Sequence, residues 1–210
     1  MTSLASVTLE VADLAAAERF YSAAFGLGPQ VRLRAGGEPS SGFRGFTMSI
    51  TVAQPADVDA LVGAALEAGA TTLKPAAKSL WGYGGVVQAP DGTIWKVATS
   101  AKKNTGPATR QIGELVLLLG AEDVKASKQF YVGQGLTVAK SFGGKYVEFA
   151  SADGGAVKLA LYKRRGLAKD VGVPEEGSGS HRIVLGGTGG AFTDPDGFAW
   201  EPAPVTSAPA

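Results

Sequence analysis

The sequence predicts an α+β protein built from two related units in tandem, and three observations carry the prediction. Asp13-Leu14 opens a segment that reaches Phe20-Tyr21 and then Gly26-Leu27, while Asp123-Val124 reaches Phe130-Tyr131 at the same spacing and then Gly135-Leu136. Further on, Pro90-Asp91-Gly92 with Trp95-Lys96 behind it is answered by Pro195-Asp196-Gly197 with Trp200-Glu201. The first block returns after 110 residues (Asp13 to Asp123) and the second after 105 (Pro90 to Pro195), as duplication of a domain-sized unit requires. Third, apolar residues switch between a two-residue and a helical period, which marks strands alternating with helices.

In the first copy Val7, Leu9 and Val11 alternate with Ser6, Thr8 and Glu10, the pattern of a half-buried strand. Asp13 suits the N-cap of the next element, where Leu14, Ala17, Tyr21, Ala24 and Phe25 share a helical face and Gly26 can close the helix. Phe46, Met48, Ile50 and Val52 alternate with Thr47, Ser49 and Thr51 in another strand. Pro55 then opens an amphipathic helix through Val58, Leu61, Val62, Ala65 and Leu66 that stops at Gly69. Pro-Asp-Gly is a turn, because proline presets φ and glycine supplies freedom at its end. The second copy starts alike, with a strand from Glu114 to Leu119 and a helix from Asp123 to Val132. Its second half differs, since only about a dozen residues separate His181 from Pro195, too few for a helix with its strands. An insertion from Lys163 to Gly179 stands in their place, in which Leu167, Ala168 and Val171 predict a short helix at most. The polar, breaker-rich segment from Thr99 to Pro107 reads as the linker, so the copies span 1–100 and 111–203 with 101–110 between them. The Pro- and Ala-rich tail is expected to fray.

An apolar share of 45% and a charged share of 19% are those of a globular chain with a core. A net charge of +1 gives no electrostatic case for nucleic acid or an anionic membrane as partner. No apolar run nears the ~20 residues that span a bilayer, and Met1-Thr2-Ser3-Leu4 shows no export signal. The lack of cysteine removes disulfides, zinc–thiolate and iron–sulfur sites, and cysteine nucleophiles. Gly36-Gly37 and the run Gly186 to Gly190 match no phosphate-loop spacing, and no Gly-x-Ser-x-Gly elbow is present. A cytoplasmic protein acting on small molecules is the expectation.

The order of these elements, with Asp…Phe-Tyr on the first helix, Trp81-Gly82 ahead of the turn and Pro-Asp-Gly before the last strand, resembles the vicinal oxygen chelate superfamily. That superfamily holds glyoxalases, bleomycin-resistance proteins and extradiol dioxygenases. The resemblance implies tandem glyoxalase-like domains made of βαβββ modules whose mixed sheets curl into cups. In many relatives a divalent metal in the cup chelates adjacent substrate oxygens. Its ligands are a His, Gln or Glu on the first strand, a His on the strand opening the second module, and a Glu just after Pro-Asp-Gly. Other relatives hold no metal and sequester a drug.

Set on those positions, the first copy offers Ser6, Thr47 and Lys96. A lysine ammonium repels a divalent cation, so no metal is expected there. Its polar residues Ser6, Thr8, Thr47, Ser49 and Thr51, with Lys96, are instead candidates to bind a ligand. The second copy offers His181, the only histidine, and Glu201. Gapless counting puts Val116 at the first position, a departure from the pattern, but Glu114 lies two residues earlier on the same strand face. His181, Glu201 and Glu114 (or Glu148) are thus candidate ligands for Fe²⁺, Mn²⁺ or Zn²⁺. The plainer reading is a solvated loop histidine and a surface glutamate. With a metal present, Glu148 and Tyr162 would move protons, and Tyr146 joins the candidate ligand-binding residues. Trp81 and Tyr83, in a Gly-rich loop, either rim a pocket or stand idle. Trp95, Trp200, Phe20, Tyr21, Phe130 and Tyr131 are expected in the core, and Lys163-Arg164-Arg165 on a solvated face. Three functions follow: a cup that binds an organic molecule, a metal-dependent lyase, isomerase or dioxygenase using the second copy, and a non-catalytic association module. Monomer and homodimer both fit, since duplicated copies can pair within one chain.

Overall fold

The computed structural model describes residues 2–151 and 157–203. The first copy runs β1 (Leu4–Val11), α1 (Leu14–Ala24), β2 (Val31–Ala35), β3 (Ser40–Gly42), β4 (Phe46–Thr51), α2 (Pro55–Glu67), β5 (Thr71–Ser79), β6 (Gly82–Gln88) and β7 (Ile94–Thr99). The second runs β8 (Glu114–Ala121), α3 (Val124–Gly133), β9 (Val138–Phe142), β10 (Tyr146–Phe149), β11 (Lys158–Lys163), α4 (Arg164–Val171), β12 (Gly177–Gly179), β13 (Ile183–Gly187), β14 (Phe192–Thr193) and β15 (Ala199–Pro202). The expected caps are in place. Asp13 Oδ1 accepts from the Ala16 amide at 2.9 Å, and Asp123 Oδ1 accepts from the Lys125 and Ala126 amides. Gly26, at φ +59°, donates back to the Tyr21 carbonyl and ends α1.

The copies do not fold into one sheet each. A five-stranded sheet in the order β14-β15-β13-β1-β2 joins the start of the first copy to the end of the second. An eight-stranded sheet, β5-β6-β7-β4-β8-β11-β10-β9, joins the end of the first to the start of the second, with β4 antiparallel to β8. The run β14-β15-β13-β1-β2 repeats the order and the strand senses of β6-β7-β4-β8-β11. The smaller sheet is therefore the same unit trimmed at both ends. The counterparts of α2 and β5 are missing from the second copy, as its short second half requires. A hairpin equivalent to β9-β10 is missing from the first copy, where α1 leads almost directly into β2. That second loss departs from the expected run of three strands after α1.

Both sheets pack one face against α1, α2 and α3. Val7, Leu9, Met48, Ile50, Leu117, Leu119, Trp95 and Trp200 lie in this main core. The repeated motif explains itself there. Trp95 Nε1 donates to the Tyr21 hydroxyl (3.4 Å), which donates to Asp91 of the first Pro-Asp-Gly turn (2.7 Å). In the second copy Trp200 Nε1 donates to the Tyr131 hydroxyl (3.3 Å), which donates to Asp194 (2.6 Å). Each relay ties helix, turn and last strand together while satisfying polar groups taken out of water. Asp196, freed from that task, accepts instead from the Ser127 hydroxyl at 2.6 Å.

The linker is tied down. Gln54 Oε1 accepts from the Thr105 and Gly106 amides, and Asp57 Oδ1 accepts from the Thr109 amide at 2.7 Å. Among the described residues no helix is long and apolar enough to cross a membrane.

Candidate functional site

The faces turned away from α1, α2 and α3, here called inner, carry the polar residues of each strand. On the eight-stranded sheet strand alternation and register bring Thr47, Ser49, Thr51, Lys96, Glu114, Glu148, Tyr146 and Tyr162 to one inner face. Ser49 lies between Lys96 and Val116, and Thr51 between Ala98 and Glu114. Beyond them Val116 neighbours Lys158, Ala160 neighbours Glu148, and Tyr162 neighbours Tyr146.

The short helix read from Leu167, Ala168 and Val171 exists, and it lies on this inner face. Those three side chains form a second apolar cluster with Phe43, Val86 and Ile94, with Leu118 and Tyr162 packed against it. Its C-terminal end is held by Lys74 Nζ, which donates to the carbonyls of Lys169 and Asp170, and by a 2.6 Å ion pair between Lys96 and Asp170. A cation at the negative end of a helix is the favourable arrangement. The consequence for the candidates is direct. Thr47 is fully buried with its hydroxyl unpartnered, and Lys96 is partnered by the protein's own carboxylate. Arg164, expected in solvent, reaches instead to the carbonyls of Phe43 and Glu175 and stacks over the Phe43 ring at 5.3 Å.

What α4 leaves open is a trough in two adjoining parts. One, of about 330 Å³, runs along β5 and β6 past Trp81, Gly84, Val86, Lys96, Ala98 and Asp170. The other, of about 380 Å³, is lined by Thr51, Trp81, Ala98, Thr99, Ser100 and Glu114. Trp81 belongs to both. It sits with Leu80 in the two-residue turn of the β5–β6 hairpin and is 85% exposed, where the sequence predicts a Gly-rich loop. Gly82 makes that turn feasible, since a Cβ there would collide with the Thr99 carbonyl. Tyr83 points the other way, its hydroxyl donating to Asp59 of α2 at 2.7 Å.

At the far end of the same face Glu148 accepts from the Tyr146 hydroxyl (3.0 Å) and pairs with Lys140 (3.4 Å). Burial first, and then the Glu148 carboxylate, push the Tyr146 hydroxyl above the ordinary phenol range, so it acts as a donor. Tyr162 meets Tyr146 edge-on at 6.0 Å. Ser6 and Thr8 lie elsewhere, on the inner face of the five-stranded sheet beside Gly186, Val184 and Arg32.

The residues proposed as metal ligands are not brought together. Glu114 stands on the eight-stranded sheet, paired with Lys158 at 2.6 Å, and Glu201 on the five-stranded sheet, paired with Arg34 at 3.3 Å. His181 is neither ligand-like nor a solvated loop residue. Its ring stacks on Phe198 (4.0 Å), with Nδ1 2.6 Å from the Arg44 carbonyl and Nε2 3.0 Å from the Asp196 carbonyl. Both ring nitrogens are turned to backbone carbonyls and neither to a candidate glutamate. Among the described residues no group of three or more His, Asp and Glu is placed to hold a metal. The donor set does not fit the superfamily's divalent ion.

No protein-family model and no curated protein matches the sequence. Solved structures do match the fold. The chain is similar to glyoxalase I from Zea mays at 15% identity and a TM-score of 0.61, over 95% of this chain and 91% of that one. A mutant form of the same maize protein gives a TM-score of 0.62 over the same shares. A candidate dioxygenase from Bacillus subtilis gives 12% identity and a TM-score of 0.51, over 87% of this chain and 69% of that one. The chain has the tandem glyoxalase-like fold of βαβββ modules that its motifs imply, at identities that carry the fold alone.

Proposed function

We propose that this protein binds a small organic molecule in the trough on the inner face of its eight-stranded sheet, without a metal. One observation carries the reading: adjoining clefts of about 330 and 380 Å³ meet at an almost fully exposed tryptophan. Volumes of this size suit a drug- or metabolite-sized ligand, and an aromatic edge beside a few fixed polar groups is what such sites present. Trp81 would stack on the ligand's planar or apolar part. The Thr51 hydroxyl and the Lys96–Asp170 pair would orient its polar groups, and α4 would form one wall. The maize structure is named for a glyoxalase I; among the described residues no donor set is placed to hold a metal, which favours sequestration or carriage over metal-dependent catalysis.

The test is a metabolite and antibiotic panel read by thermal shift. A ligand at 100 times its Kd stabilises the native state by about 2.7 kcal/mol, or roughly 5–10 °C for a chain of this length. A hit that keeps its shift in Trp81→Ala and in Thr51→Val would place binding elsewhere and end the proposal.

A further inference from the structure

The inner face of the five-stranded sheet carries an arrangement of charge that the trough does not use. Arg34, on the edge strand β2, donates to Glu10 at 2.7 Å and also reaches Glu201 on β15, at 3.3 and 3.4 Å. In sheet order β13 and β1 lie between those two strands. Arg34 starts in the row of Glu10, and Glu201 sits in the row of Gly186 and Ser6, so the pair crosses the row of Thr8 and Arg32 as a diagonal strap.

The groups in those rows are unfinished. Arg32 is half-buried, and its Nε is buried with no hydrogen-bond partner; it forms no ion pair and no side-chain hydrogen bond with the described residues. Ser6 is only 6% exposed and its hydroxyl is likewise unpartnered. Gly186 faces Ser6 without a side chain, and a Cβ there would run into the Ser6 hydroxyl, so the glycine keeps that space for the oxygen. Arg182 at the edge of the same face has one bond, from Nη2 to the Gly36 carbonyl at 3.0 Å, and its buried Nε has none. Three guanidiniums, those of Arg32, Arg34 and Arg182, therefore meet two carboxylates, those of Glu10 and Glu201; Arg34 takes both, Arg182 has only its carbonyl bond, and Arg32 has no side-chain partner at all among the described residues.

A buried charged donor with no acceptor is costly, and replacing the missing acceptor removes that cost. The guanidinium offers Nε and one Nη as a planar fork that matches two oxygens of a carboxylate or phosphate. Thr8, the register neighbour of Arg32, and Ser6 add hydroxyl donors on the same face. We propose that this face is a second site, for a small oxyanion, the carboxylate or phosphate of a metabolite, held by the Arg32 fork with Ser6 and Thr8. It does not depend on the trough.

The experiment titrates inorganic phosphate and, separately, acetate at constant ionic strength into the full chain, by calorimetry and by thermal shift. Wild type is compared with Arg32→Gln and with Arg19→Gln, an exposed arginine of α1. At least one anion should bind saturably to wild type and to Arg19→Gln, with Arg32→Gln weakened roughly tenfold or more, the loss of a charge-assisted fork. The better of the two anions tells phosphate from carboxylate. Without anion, Arg32→Gln should melt no lower than wild type, because it removes an unpaired, half-buried charge. No saturable binding by either anion, equal binding by Arg32→Gln, or a lower melting temperature of Arg32→Gln in anion-free buffer would each overturn the proposal.

Discussion

Replacing Tyr131 by phenylalanine deletes one oxygen atom from a relay in which every group is buried. That hydroxyl donates to Asp194 Oδ2 at 2.6 Å and accepts from Trp200 Nε1 at 3.3 Å, and the three residues are at most 5% exposed. Losing a hydrogen bond to a charged acceptor removes about 1.5–3 kcal/mol, and leaving the indole N–H unpaired adds to this, for a total of about 2–4 kcal/mol. Asp194 keeps its amide bonds from Asp196 and Phe198, which caps the loss. At ~2–4 °C per kcal/mol for a chain of this size, the melting temperature should fall by roughly 5–15 °C. In the first copy the Tyr21 hydroxyl meets Asp91, which is only half-buried, so water can take the vacated place and Tyr21→Phe should cost about 1–2 kcal/mol. Calorimetry and urea unfolding of both variants give the comparison, with ligand binding unchanged because both tyrosines lie on the helix side. Changes under ~0.5 kcal/mol in both would refute the view that the repeated motif is a structural relay.

Alkali gives a second test of the same groups. Burial, followed by the neighbouring carboxylates of Asp91 and Asp194, pushes the hydroxyls of Tyr21 and Tyr131 well above the phenol range. The unfolded chain releases these protons first, so their contribution is intact below about pH 10 and is lost as pH rises beyond it. Urea midpoints should decline above that pH, less steeply in the Tyr21→Phe/Tyr131→Phe double variant. Gly82→Ala, forcing a Cβ against the Thr99 carbonyl at φ +137°, should lower stability by about 2 kcal/mol or more in urea unfolding. Lys96→Met breaks a half-exposed pair with Asp170, so global stability should change by less than ~1 kcal/mol. Hydrogen exchange over residues 167–171 should nonetheless speed up, as the C-terminal end of α4 loses one of its two lysine contacts.

Much of this fold is local and therefore legible. Asp13 and Asp123 announce their helices, Pro55 opens α2, and the duplicated Phe-Tyr and Pro-Asp-Gly blocks identify the repeat, because each feature acts over a few residues. Strand partnership is not local. Nothing near β1 says that it pairs with β13 from the far end of the chain rather than with β4 of its own copy, and the closure of such contacts leaves no periodic trace. The fate of His181 was hidden for the same reason, since its two acceptors, Arg44 and Asp196, come from different copies. Leu167, Ala168 and Val171 predict a helix but not that it packs on Leu118 and Tyr162 of the inner face. The arginine face had a readable signal: Val31-Arg32-Leu33-Arg34 alternates like a strand and puts both arginines on one side. Its meaning emerges only once β2 lies beside Thr8 and Glu10.

The trough can be probed through its own fluorophore. Trp95 and Trp200 are buried, whereas Trp81 is open to solvent, so iodide should quench Trp81 selectively. A stabilising ligand should shield that emission from iodide with the same midpoint as its thermal shift. A ligand that stabilises the protein while leaving Trp81 as open to iodide as before would contradict binding in the trough.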